Sequence, residues 1–415
     1  MTLFADILTS VFERGVRFSY GAAKDDRTIS ELCTALVGTA GEGAGLSIAG
    51  KVLDRYQGFD DDEKRAFFDH LATAMNIDPD TVRQTLLAYE TDPSKASYRA
   101  FMTASEPPRQ ELIRRLNMVP GATEILVKMR ADLLRLGRND PQLQALDMDF
   151  RHLLASWFNR GFLVLRPINW NSPALILDKI IAYEAVHAIQ SWDDLRRRLK
   201  PEDRRCFAFF HPAMPDEPLI FVEVALTKGV PGSVQGLLAE DRAAIAAEQA
   251  DTAVFYSISN CQAGLASISF GNSLIKQVAR DLAGQLAQLK TFVTLSPIPG
   301  LVAWLEDMGA PYDASDADQM QALAARYLLH AKGKDGRPRD PVARFHLGNG
   351  AMVHAVHARA DISDKGQAQS GGTMVNYLYD LDKVSEYHEG FASANIVVAT
   401  PAVKSLAQTA KRSAA

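Results

Sequence analysis

The chain has 415 residues, 47% of them hydrophobic and 23% charged, and its 45 Lys and Arg against 50 Asp and Glu leave a formal net charge of -5. This composition belongs to a globular chain with a sizeable core and excludes collagen-like, disordered and disulfide-stapled classes. It carries no basic excess to recruit nucleic acid or an anionic membrane. Cys33, Cys206 and Cys261 stand far apart with no CxxC pair, so neither a disulfide framework nor a structural zinc site is expected, and a reducing, cytoplasmic compartment is. No stretch approaches the ~18 apolar residues of a membrane span. The length suggests two domains.

In chain order, the first residues, with Asp6 and Glu13 and no basic stretch before an apolar run, read as an amphipathic helix rather than a signal peptide. Residues 1–157 then read as an all-α helical bundle, broken at Ile77-Asp78-Pro79-Asp80, Thr91-Asp92-Pro93-Ser94 and Gly137-Arg138-Asn139-Asp140-Pro141. Its clearest helix spans 122–136, where Ile125, Leu126, Met129, Leu133 and Leu134 share a stripe and Gly137 supplies a stop. Such a bundle suits self-association as well as it suits a catalytic role. From 158 to 415 the texture is mixed α/β. Strands are expected at 162–165, 206–210, 218–226, 252–258, 291–295 and 373–379, with helices at 176–199, 234–248, 271–288, 300–308 and 316–332.

Four segments of the second region carry residues suited to chemistry. The strand at 252–258 leads through a loop of small residues into a helix bearing Lys276 and Arg280. This reads either as a plain tight connection or as a helix N-terminus aimed at a pyrophosphate. Neither GxGxxG nor GxxxxGK[ST] occurs, which disfavours a dinucleotide fold and a P-loop. In Leu295-Ser296-Pro297-Ile298-Pro299-Gly300, Pro297 turns Ser296 away from the α region, giving either an ordinary turn or a rigidly presented hydroxyl. In Phe345-His346-Leu347-Gly348-Asn349-Gly350, an imidazole beside a turn either packs or exchanges protons. Tyr377 and Tyr379 fall on one face of a strand, as packing residues or as hydroxyls in a cleft. His354 and His357 lack a carboxylate at ligand spacing, and there is no GxSxG elbow to support an α/β-hydrolase.

Taken in order, FYSIS at 255–259, LSPIPG at 295–300, FHLGNG at 345–350 and MVNYLY at 374–379 resemble the malonyl-CoA decarboxylase family. PLIFVEVALT at 218–227 and GNSLIK at 271–276 add to the resemblance, which covers most of residues 160–395. It implies an N-terminal helical oligomerisation domain over 1–157 and, over 158–415, an α/β catalytic domain similar to GNAT-type acyltransferases. It places the catalytic serine at Ser296, the catalytic histidine at His346 and an active-site tyrosine at Tyr379, which positions the acyl end. The coenzyme A loop falls on Ala266, Ser267, Ile268, Ser269, Phe270, Gly271 and Asn272. Ser269 stands where some members carry an acid, whose part is then absent here or supplied from elsewhere. Ser257 is counted with the substrate-binding residues, and the hydroxyls of Ser257 and Ser259 either meet the substrate or complete the packing of their strand.

What the resemblance implies is a homo-oligomer, dimer or tetramer, that converts malonyl-CoA to acetyl-CoA and CO2 without metal or organic cofactor and with neither nucleic acid nor membrane as partner. Loss of CO2 leaves an enolate that the thioester itself stabilises. Ser296 then hydrogen-bonds the malonyl group and accepts a proton, and His346 protonates C2. An acyl-CoA-dependent N-acetyltransferase and a non-catalytic acyl-CoA-binding protein are the alternatives.

Overall fold

The computed structural model describes residues 25–268 and 274–412, so the helix expected at the start of the chain lies outside the described residues. The described chain divides into two compact units: residues 25–164, 211–217 and 262–268 form the first, and 165–210, 218–261 and 274–412 the second. The two short returns to the first unit were not visible in the reading along the chain.

The first unit is helical, as expected: α1 (Ile29–Gly38), α2 (Glu42–Gln57), α3 (Asp61–Thr73), α4 (Pro79–Thr91), α5 (Lys95–Ser105), α6 (Pro108–Leu116), α7 (Ala122–Leu136) and α8 (Pro141–Trp157). The polar breaks in the sequence are the start signals of these helices. Thr28 and Asp60 form capping boxes with Glu31 and Glu63, while Asp78 and Asp140 cap helices that begin with proline. Helix α7 has the expected bounds and buries Leu126, Met129 and Leu133 in a core shared with Leu36, Phe68, Leu112 and Phe150. Helices α4 and α5 differ from the rest, because neither buries a single side chain.

The second unit is organised on a mixed sheet of β1 (Val164–Ile168), β2 (Arg204–Phe210), β3 (Ile220–Thr227), β4 (Thr252–Asn260), β5 (Thr291–Thr294), β6 (Ser296–Pro297), β7 (Met352–His357) and β8 (Met374–Leu378). Their order is β1-β2-β3-β4-β5-β8-β6, with β7 also paired to β8. β4 and β5 are parallel, so a crossover must join them, and α12 (Leu274–Gln285) lies within that connection. Two apolar clusters pack along one face of the sheet, where Phe221 and Ala225 of β3 both point. Ile176, Leu177 and Ile180 from α9 (Ala174–Tyr183) and Leu195 and Leu199 from α10 (Trp192–Leu199) pack on Cys206, Ala208 and Phe221. Val234 and Leu237 from α11 (Val234–Leu238) pack on Ala225, Val254 and Val293.

Three expectations are corrected. The helix expected at 176–199 is two helices, α9 and α10, because the Glu184 carboxylate takes the N–H groups of Val186 and His187 and Ser191 caps a new start. The helix expected at 234–248 stops at Leu238, since Asp203 pins the following chain through Arg242 and the Ile245 N–H. The segment around His346, read as a turn, is the last part of a helix.

Candidate active site

The strand pair at the centre of the sheet opens at one end. β4 and β5 are in register from Thr252↔Thr291 to Phe255↔Thr294, and the Leu295 N–H still reaches the Phe255 carbonyl at 3.0 Å. Beyond that point the two chains part. β6 pairs with β8 instead, through Ser296↔Val375 and Pro297↔Met374. β4 also carries an irregularity here: its register with β3 slips after Ser257↔Glu223, leaving Tyr256 without a cross-strand partner. The parting leaves a cavity of about 240 Å³ lined by Phe255, Tyr256, Ile258 and Asn260 of β4, by Ser296 and Pro297, and by Pro341, Val342, Phe345, His346 and Val186.

Ser296 comes to this cavity on an extended backbone, as Pro297 requires. His346 comes on α15 (Pro341–Gly348), preceded by α13 (Leu301–Asp307) and α14 (Ala317–His330) in the chain. The start of α15 is set by Pro341 in its first turn and by Asp340, whose carboxylate accepts the Ala343 N–H at 2.8 Å. Its end is set by Gly350 at φ +84°, where a Cβ would stand 2.0 Å from the Val384 carbonyl oxygen, so no other residue fits that exit.

The three side chains meet. His346 Nε2 lies 3.1 Å from Ser296 Oγ, and Nδ1 lies 2.8 Å from the Tyr379 hydroxyl. The Ser296 hydroxyl donates to Thr294 Oγ1 at 2.8 Å, which also accepts the Tyr377 N–H. That direction makes Ser296 Oγ the acceptor of an Nε2–H and Nδ1 the acceptor of the Tyr379 O–H, an assignment made from the network. The Tyr377 ring stacks on the imidazole with centroids 4.6 Å apart. Ser296, His346 and Tyr379 are all buried, and burial drives the His346 pKa down to about 3, so the imidazole is neutral at physiological pH. The site therefore offers one oriented, neutral N–H beside a hydroxyl in a shielded cavity.

Tyr379 stands behind the imidazole and holds Nδ1 rather than lining the cavity. Ser257, 1% exposed, gives its hydroxyl to the Glu184 carboxylate at 2.7 and 2.8 Å, and Ser259 follows it at 3.4 Å. Their alternation on β4 could have announced a shared polar partner, but only the fold shows which one. Ala266, Ser267 and Ile268 belong to the first unit, where the Arg130 guanidinium donates to the carbonyls of Gly264 and Ala266 at 2.7 and 3.0 Å. Ser267 there adopts φ +63°, a conformation uncommon outside glycine. Ser269, Phe270, Gly271 and Asn272 lie outside the described residues. Lys276 and Arg280 sit on α12.

Comparisons with known proteins identify relatives of the whole chain. A family model for the malonyl-CoA decarboxylase C-terminal domain matches residues 161–318 and 313–415, and one for the N-terminal domain matches 75–158. The chain is 47% identical to malonyl-CoA decarboxylase from Rhodopseudomonas palustris, with a TM-score of 0.86 over 91% of this chain and 98% of that one. The crystal structure of the Agrobacterium vitis enzyme gives 47% identity and a TM-score of 0.85, over 91% and 99% of the two chains. Mitochondrial malonyl-CoA decarboxylase of the goose Anser anser anser is 32% identical over 72% of this chain and 69% of its own length. The parted strands, the buried serine and histidine they enclose and these matches across both units lead to one conclusion: the chain belongs to the malonyl-CoA decarboxylase family.

Proposed function

We propose that this chain converts malonyl-CoA to acetyl-CoA and CO2, with Ser296 and His346 touching the substrate and Tyr379 acting through the imidazole. The observation that carries the reading is the run of contacts from Tyr379 through His346 to Ser296 at the edge of the cavity. A malonyl thioester needs little from a protein. When its C2–C3 bond breaks, CO2 leaves and the electron pair moves onto C2 and the thioester carbonyl, so the substrate supplies its own electron sink and the reaction calls for no cofactor. The protein must exclude water, hold the thioester and put one proton on C2.

The neutral His346 delivers that proton from Nε2. Its proton is already on the correct nitrogen, because the Tyr379 O–H occupies Nδ1 and offsets the negative charge that builds on the ring as the proton leaves. Ser296, anchored on Thr294, gives the malonyl head a hydrogen-bonding partner next to the proton donor. The ring regains its proton from water after the product departs, which balances the reaction: malonyl-CoA and one proton yield acetyl-CoA and CO2. A time course with purified protein and malonyl-CoA alone, without an acyl acceptor and with a chelator in a parallel sample, is expected to give acetyl-CoA and CO2 in equal amounts in both. Release of free CoA that depends on an added amine would instead make this an acyltransferase.

Self-association through the helical unit, as a dimer or tetramer, is part of the same proposal. It is supported by α4 and α5, which rest on each other through Tyr89 and Tyr98 and leave Leu87 63% and Tyr98 52% exposed. A cytoplasmic location is likewise proposed, supported by three buried cysteines that form no disulfide. No described helix is long and apolar enough to cross a membrane.

A further inference from the structure

Between α9 and α10 the chain runs through residues 184–188 without regular secondary structure, and side chains satisfy its peptide groups. The buried Glu184 carboxylate accepts the Ser257 hydroxyl at 2.7 and 2.8 Å, the Ser259 hydroxyl at 3.4 Å and the N–H groups of Val186 and His187 at 2.8 Å each. The Ala185 N–H donates to Ser259 Oγ at 3.2 Å. On the carbonyl side, Lys365 donates to Ala185 at 2.6 Å, and Arg198 to His187 and Ala188 at 2.8 and 3.2 Å. A carboxylate is costly to bury unless it is this fully partnered, and its partners bind the segment to β4. Of this fixed segment, only Val186 lines the cavity that holds Ser296 and His346. The cavity measures about 240 Å³, and Val186 lines it together with Ser296 and His346.

We propose that Val186 determines specificity by limiting the substituent at C2 of the malonyl thioester, and that Glu184 is the positioning residue that holds it in place through Ser257 and Ser259. The proposal rests on the decarboxylase reading above. A β-branched side chain has little rotamer freedom, and on a pinned backbone it cannot retreat from an added methyl group. This also explains why Ser257 and Ser259 sit beside the site without lining it.

The test is kcat/KM for malonyl-CoA and methylmalonyl-CoA, with the inhibition constant of free CoA measured alongside, on the full chain and on Val186→Ala, Val186→Ile, Glu184→Gln and Glu184→Ala. Val186→Ala is expected to raise the methylmalonyl to malonyl ratio about tenfold or more, and Val186→Ile to lower it, since one methylene in such a pocket is worth roughly 10–200-fold. Glu184→Ala should raise the ratio while leaving CoA inhibition unchanged, because CoA carries no acyl group; Glu184→Gln, which keeps one acceptor oxygen, should fall between it and the wild type. A ratio unmoved in both Val186 variants would overturn the proposal, and those variants decide it even where Glu184→Ala fails to fold. If the wild type leaves malonyl-CoA intact, the reading of the site falls; if it turns malonyl-CoA over while the Val186 variants keep its selectivity, only the inference about the wall falls.

Discussion

Tyr379 and Ser296 approach the His346 imidazole from opposite nitrogens, the tyrosine hydroxyl at 2.8 Å from Nδ1 and the serine oxygen at 3.1 Å from Nε2. The ring is thereby held in one tautomer and one orientation. Tyr379→Phe removes only the hydrogen bond behind the ring. A hydrogen bond of roughly 1 kcal/mol corresponds to about a fivefold rate change, so kcat is expected to drop about threefold to tenfold with KM little changed. Steady-state kinetics on the two proteins check this, and a large rise in KM with kcat preserved would place the hydroxyl on the substrate instead.

Helix α15 is started by a buried acid and carries the proton donor half a dozen residues on. Asp340 is 1% exposed and caps the helix through the Ala343 N–H, while burial raises its pKa to about 6. Losing a cap of this kind costs about 1 kcal/mol, and a displaced imidazole costs rate. Asp340→Ala is expected to lower Tm and to cut kcat about tenfold. Asp340→Asn, which keeps the acceptor oxygen, is expected to restore most of both, as thermal melts and turnover will show.

Burial of a neutral histidine makes stability depend on pH with a definite sign. His346 titrates at about 3 in the folded chain and near 6.5 when unfolded, so between these values the unfolded state binds more protons. Its contribution is fully present above about pH 6.5 and is lost as the pH falls towards 3. His187, lowered to about 4 chiefly by burial, acts in the same direction. Glu223, raised to about 8 by burial and by the nearby Glu184, acts in the opposite one, its contribution being lost as the pH rises from its unfolded value towards 8. His346→Asn is therefore expected to flatten the acid side of a Tm-against-pH curve and to leave the alkaline side unchanged. For the same reason wild-type kcat should show no step near pH 6.5.

The hairpin of α4 and α5 gives the helical unit an uncovered apolar face. If self-association uses it, Leu87→Glu combined with Tyr98→Glu should lower the mass measured by light scattering, while both residues, being exposed, can change with little effect on folding. An unaltered mass would move the interface to another surface.

How much of this was legible in the sequence depended on whether a signal was local. The caps at Asp78 and Asp140 and the stripe of α7 depend on neighbours a turn apart, and the strands at 206–210, 252–258 and 373–379 were found to within about two residues. Ser296, His346 and Tyr379 were named from motifs, yet β6 pairs with β8 across nearly eighty residues of chain, and His346 arrives on a separate helix. The helix around His346 was missed although Asp340-Pro341 is a start signal, because the Gly-Asn-Gly that ends it drew the reading towards a turn. The break at Glu184 was illegible for another reason. A glutamate inside a helical pattern gives no hint that its carboxylate will turn back on its own chain and onto a strand more than seventy residues later.

The most direct measurement of the central claim is acetyl-CoA and CO2 formed from malonyl-CoA by wild type and His346→Asn, with folding checked by thermal melts. If His346 is the proton donor at C2, the wild type releases the two products one to one, and the variant is slower by about 100- to 10,000-fold while it still binds CoA. A folded His346→Asn protein that turns over within a fewfold of wild type would contradict the account.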